Sequence, residues 1–209
     1  MKEFDIENWN RKPIFDFFKN YEDPFFNVTA SLDVTNLYTY CKQHNLSFSL
    51  ACLYIAIKSM NEIPEFKLRF KNEKVYSCDI LHIGSTILND DETFSFCYFE
   101  NQPTIFEFDI KGKKNIENHK KNFKFEAKEE GLNLVHCSTL PWISFTSVKH
   151  ARNGDETTKG IPKIVFGKLF DELQLKKIPF SVEVHHALMD GLQVGILYKK
   201  MQEYIDELV

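Results

Sequence analysis

Two apolar periodicities trade places along this chain without a fixed rhythm. Over residues 26–34, Phe26, Val28, Ala30, Leu32 and Val34 fall at every second position, the pattern of a strand with one face buried. Helical spacing then takes over at 35–44 and again at 47–61. In the second stretch Phe48, Ala51, Cys52, Ile55 and Ser59 recur at i, i+3, i+4, i+7 and i+11 before Pro64 closes the run. Strand-like runs follow at 65–70, 74–78, 81–88 and 93–99 with polar turns between them, a meander of hairpins. A Lys-rich surface helix is expected over 104–126, apolar strand-like runs at 132–137 and 142–148, strands at 163–170 and 178–186, and a closing helix at 191–208. A short amphipathic helix over 7–20 opens the chain. The regular β-α-β alternation of a doubly wound fold is missing, so the expected class is α+β with a mixed or antiparallel sheet. Without internal repeats, low-complexity tracts or a linker, residues 1–209 are expected to form a single domain.

Composition narrows the partners. The 26 Lys and Arg are scattered among 30 Asp and Glu, for a net charge of -4, so no basic footprint for nucleic acid exists. No apolar run approaches the roughly 18 residues of a membrane helix, and the N-terminal residues lack the apolar core of a signal peptide. A cytoplasmic protein that does not bind the membrane is expected. The five cysteines, Cys41, Cys52, Cys78, Cys97 and Cys137, are odd in number and widely spaced, which reads as small buried hydrophobes in a reducing compartment. Twenty Phe exceed what a core of this size needs, so some should line a pocket or an interface.

With eight Gly in all, the chain carries no dinucleotide fingerprint, P-loop, GxSxG elbow or HExxH motif, and no metal site is expected. One dense polar cluster stands out, the heptapeptide His-His-Ala-Leu-Met-Asp-Gly at 185–191. Strand parity places His186 with Val182 and Val184 on the inward face, and His185 with Ser181 and Glu183 on the other. An imidazole held against apolar surface is disfavoured in its charged form and can accept a proton, the chemistry of a general base. A satisfied core histidine fits the same position. Asp190 with Gln193 also fits a helix capping box. Capping alone leaves unexplained why a histidine pair, an aspartate and a glycine share one heptapeptide.

That heptapeptide matches in full the HHxxxDG signature of the chloramphenicol acetyltransferase family, a signature that also occurs in related acyltransferases such as peptide-synthetase condensation domains. Further segments resemble the family in order and spacing: Asn8-Trp9-Asn10-Arg11-Lys12, Asn61 through Arg69, Glu92-Thr93-Phe94-Ser95, and Leu140-Pro141-Trp142-Ile143-Ser144-Phe145-Thr146-Ser147. The resemblance spans nearly the whole chain. It implies a CoA-dependent acyltransferase-like fold, a two-layer sandwich in which a large mixed or antiparallel sheet is covered by helices. It implies acetyl-CoA as co-substrate and a small-molecule alcohol as acceptor, chloramphenicol being the leading one, which would confer antibiotic resistance. It also implies a homotrimer whose sites lie between subunits. By the same resemblance, His186 is the general base and Ser147 donates to the developing oxyanion, a role in which one donor is worth roughly 3 to 4 kcal/mol. Asp190 and Arg11 form a buried ion pair that supports the backbone around the histidine, and removal of either partner would cost roughly 3 to 5 kcal/mol. Parity on a 142–148 strand would put Ser147 on the face of Ile143 and Phe145.

The pocket positions implied by the resemblance are Phe18, Phe26, Phe94 and Val165. Two of them depart from the family: Phe18 stands where it has a tyrosine and Val165 where it has a threonine. Leu169 replaces a tyrosine near the coenzyme, Met189 a cysteine, and the stretch between Ser147 and Pro162 is several residues shorter. These departures leave three readings open: the chloramphenicol O-acetyltransferase, an acyltransferase of the same fold acting on another small alcohol or thiol, and a non-catalytic binding protein.

Overall fold

A computed structural model describes residues 1–121, 131–152 and 160–208. Its core is a seven-stranded mixed sheet with strand order β2-β10-β8-β7-β5-β6, and β9 pairs with β10. The strands are β2 (Phe25–Asp33), β5 (His82–Leu88), β6 (Phe94–Phe99), β7 (Leu134–Thr139), β8 (Lys163–Phe166), β9 (Phe170–Glu172) and β10 (Leu175–His185). The pairs β5–β7 and β7–β8 are parallel and the remaining pairs antiparallel. A second, three-stranded sheet is ordered β1-β4-β3, from β1 (Lys2–Glu3), β3 (Leu68–Lys71) and β4 (Lys74–Ser77).

Among the described residues five helices accompany the sheets: α1 (Lys12–Phe18), α2 (Thr35–His44), α3 (Phe48–Asn61), α4 (Ile105–Lys121) and α5 (Gly191–Asp206). The central one is α3, which is buried nearly all round and packs on α2, α4 and α5. Its start is fixed by Ser47, whose hydroxyl accepts the Leu50 N–H while its own N–H donates to Asp109 of α4 at 2.7 Å. The preceding helix stops at Asn45, held at φ 54, a left-handed cap that asparagine tolerates.

The α+β class and the helix-covered mixed sheet agree with the sequence reading, but several elements differ. The opening helix is shorter than 7–20: the chain turns through residues 7–11, and Pro13 in the first turn favours a start at Lys12. Residues 64–67 form a 3-10 turn begun by Pro64, so the strand expected at 65–70 starts only at Leu68. The expected meander divides, because β3 and β4 join the small sheet while β5 and β6 join the large one. The run at 142–148 is no strand. The chain there keeps only isolated bonds, such as Leu140 N–H to the Phe166 carbonyl and Lys168 N–H to the Ile143 carbonyl. Gly167 permits this approach, since a Cβ there would lie 2.9 Å from Phe145. The strand expected at 163–170 breaks at this glycine, and β10 starts earlier than 178. The 122–126 end of the expected surface helix, and the Asn153-Gly154 turn, lie outside the described residues.

Register sorts β10 into two faces. Phe180, Val182 and Val184 join the core beneath the helices, while Ser181, Glu183 and His185 face the other way and pair with Thr29, Asn27 and Phe25 of β2. All six are buried, so the second face is covered too, in part by the segment at 140–152. The five cysteines are buried thiols. Desolvation pushes the thiols up, Cys41 to about 11 and Cys137 to about 12, with Cys52 and Cys78 shifted in the same direction.

Candidate active site

His186 sits just past the end of β10, where the strand hands over to α5. Its N–H donates to the Pro24 carbonyl at 2.8 Å, which ties the turn to the entrance of β2. Phe18, at the end of α1, stacks on the imidazole at 4.0 Å between ring centroids and 5° between planes, and Phe26 leans on it at 4.6 Å and 47°. Nδ1 lies 3.2 Å from Asp190 Oδ1, yet it is buried without the geometry of a hydrogen bond. With one face covered and Nδ1 enclosed, Nε2 is the nitrogen that remains for proton exchange, and the side chain keeps 33% of its exposure.

His185 is the more enclosed of the pair. It is 2% exposed, lies against Phe25 at 5.0 Å and Phe70 at 4.8 Å, and its Nδ1 accepts the Ala187 N–H at 3.2 Å. This reverses the parity expectation that His186 is the inward histidine. The strand ends at His185, so alternation no longer applies one residue later, and the second face of β10 is not solvent. The satisfied core histidine is therefore His185.

The expected Arg11–Asp190 pair is present and forked. Arg11 Nη1 donates to Asp190 Oδ2 at 2.5 Å and Nη2 to Oδ1 at 3.1 Å, while Nη2 also reaches the His186 carbonyl at 3.2 Å. Trp9 lies under the guanidinium at 5.2 Å. Asp190 is also the N-cap of α5, its N–H donating to Gln193 Oε1 at 2.9 Å. Capping and ion pairing thus coexist. Arg11 is 9% exposed but Asp190 33%, so water would compensate part of a broken pair and its loss costs less than the roughly 3 to 5 kcal/mol of a fully buried one.

The other expected site residues do not gather around His186. Ser147 lies in irregular backbone, is exposed, and makes no hydrogen bond to His186 among the described residues. Its expected strand face does not exist. Val165 is 1% exposed on β8 and pairs with Ser181 and Ser138, so it packs within the second face of the sheet. Phe94 opens β6 and is 49% exposed. Between β10 and β6 lie β8, β7 and β5, which at about 4.8 Å per strand is roughly 19 Å. Phe94 therefore cannot touch His186 of its own chain.

Sequence reasoning missed Pro24, Tyr21 and the ionic group formed by Asp23, Arg152 and Glu183. Tyr21 extends the aromatic wall from Phe18 at 5.0 Å. A carboxylate at Glu183 within an otherwise apolar strand was a usable signal, hidden by reading its face as solvent-exposed. Among the described residues no cluster of His, Cys, Asp and Glu could hold a metal ion, and no helix is long and apolar enough to cross a membrane.

Comparison with known proteins agrees with the fold. A chloramphenicol acetyltransferase from Clostridium perfringens is 30% identical over 202 residues, covering 95% of this chain and 92% of that protein. One from Escherichia coli is 29% identical over 205 residues, covering 97% and 93%. A solved chloramphenicol acetyltransferase structure superposes with a TM-score of 0.85 at 23% identity, covering 98% of this chain and 99% of the other. The sequence profile described as chloramphenicol acetyltransferase matches residues 1–202, and on that match the chain belongs to the chloramphenicol acetyltransferase family of acyltransferases.

Proposed function

We propose that the chain transfers an acetyl group from acetyl-CoA to the hydroxyl of a small alcohol, with chloramphenicol as the first acceptor to test and resistance to it as the biological outcome. The observation that carries this reading is the held imidazole: His186 is covered by Phe18, leaned on by Phe26, anchored through its N–H by Pro24 and through its carbonyl by Arg11. Nε2 takes the proton of the acceptor hydroxyl as that oxygen bonds to the acetyl carbon, and the imidazolium returns the proton to the departing sulfur. Acetyl-CoA supplies the acetyl group already activated as a thioester. The Ser147 hydroxyl donates to the carbonyl oxygen as it gains charge. Arg11 and Asp190 hold the turn and move no proton. Transfer is direct, in keeping with thiols that are buried and held protonated.

The protein works as one domain over residues 1–209 in the cytoplasm, and as a homotrimer. Support for the trimer comes from Phe94, a pocket position by family resemblance, which stands too far from its own His186 and fits the pocket of a neighbouring copy. A second reading, transfer to another small alcohol or thiol, is favoured by Phe18, which stacks on the imidazole and offers an acceptor no hydroxyl. The test follows free thiol released from acetyl-CoA, with and without chloramphenicol, for the wild type and His186→Ala. Chloramphenicol-dependent release that falls about 10²- to 10⁴-fold in the variant is expected. No such release by the wild type removes chloramphenicol as acceptor. Release with another acceptor that is equally fast in the variant removes His186 as base.

A further inference from the structure

Three backbone segments that bear on His186 meet at a single side chain outside the heptapeptide. Arg152 forks onto Glu183, Nε to Oε1 at 3.2 Å and Nη2 to Oε2 at 3.0 Å, and its Nη1 donates to Asp23. The guanidinium lies 3.9 Å from the Phe25 ring centroid, and Phe25 packs on His185. Glu183 is 1% exposed and stands three residues before His186. A carboxylate so enclosed needs a partner, and a planar fork satisfies both of its oxygens where an ammonium would meet one. Asp23 directly precedes Pro24, whose carbonyl receives the His186 N–H. Beside Arg152, the Ala151 carbonyl accepts from Lys163 Nζ at 2.7 Å, which pins the backbone that carries the guanidinium. Two arginines thus bracket the histidine. Arg11 holds its carbonyl directly, and Arg152 holds the strand entrance that binds its N–H.

We propose that Arg152 is a positioning residue of the acetyl transfer: by clasping Glu183 and Asp23 it fixes the entrance of β2 to the strand that presents His186. The proposal rests on the function given above. A misplacement of about 1 Å at a reacting group can cost about 10²-fold in rate, and Arg152 sets the placement of His186 without touching substrate.

The experiment compares wild type, Arg152→Ala, Arg152→Lys and Glu183→Gln. Two readouts are taken: kcat and KM for acetyl transfer, and hydrogen–deuterium exchange at the His186 amide. Arg152→Ala should lower kcat about 10-fold or more with KM for acetyl-CoA changed less than about twofold. It should also speed His186 amide exchange about 10-fold. Arg152→Lys, which keeps the charge and loses the fork, should recover part of both, and it stands in should the alanine variant not fold. An unchanged kcat, or a loss that Arg152→Lys does not partly recover, overturns the proposal. If the wild type acetylates no acceptor, the functional reading falls, and the exchange measurement still decides the clasp: an unchanged His186 amide overturns it.

Discussion

The two faces of the large sheet are built from the same strands to opposite ends. Under the helices, β10 contributes Phe180, Val182 and Val184 to a continuous apolar core, with the tilted rings of Phe180 and Phe166 4.8 Å apart. On the other face the alternate residues Ser181, Glu183 and His185 are just as buried, yet each is satisfied by a specific polar or aromatic partner. Non-directional burial stabilises the first face. The second depends on directed contacts, and those contacts lead toward His186. Equal burial therefore marks two different jobs, and it is the partner of a buried group that tells them apart.

The contrast can be broken in three ways. Phe180→Ala opens a cavity under the helices and should cost about 3 to 5 kcal/mol of stability, read by denaturant unfolding, with kcat per folded molecule unchanged. A matching fall in kcat would mean that the faces are not separable. Acid should attack the second face instead. Burial, with the positive charges of Lys163 and Arg69 and neighbouring His150, pushes His136 down from 6.5 to about 4. The unfolded chain therefore binds this proton first, and stability should fall as pH drops through the window from about 6.5 to 4, by up to about 3 kcal/mol. Melting temperatures across that window should fall less steeply in His136→Asn; parallel slopes would contradict the assignment. Ser181→Ala is the smallest change. The Ser181 hydroxyl exchanges hydrogen bonds with Asn27 at 2.8 and 3.0 Å, so its loss should cost about 1 kcal/mol. A loss as large as that of Phe180→Ala would erase the distinction.

What could be read from the chain divides along the same line. Period-2 and helical spacing located α2, α3, α5 and most strands of the large sheet, because apolar burial leaves a periodic trace. The site was legible where chemistry is local: His186, Asp190 and the capping Gln193 fall within eight consecutive residues, and family resemblance added Arg11. The backbone that carries Ser147 was read as a strand because an apolar run, Trp142-Ile143-Ser144-Phe145, mimics one although Trp142 and Ile143 are 62% and 58% exposed. His185 and His186 were exchanged because parity assumes one wet face. Arg152 had no trace at all: its partners lie 31 and 129 residues away, and a lone arginine in a polar stretch announces nothing.

The Phe18 ring lying flat on His186 has a stereochemical consequence. An imidazole sealed on one face and closed at Nδ1 has a single exit for a proton, along the in-plane lone pair of Nε2. With His186 as the proposed base, an incoming hydroxyl has to reach that line edge-on, whatever the bulk of the molecule carrying it. Positional isomers of one alcohol should then differ more in rate than homologues of different length, because the angle at which the O–H is presented changes with its position on the molecule.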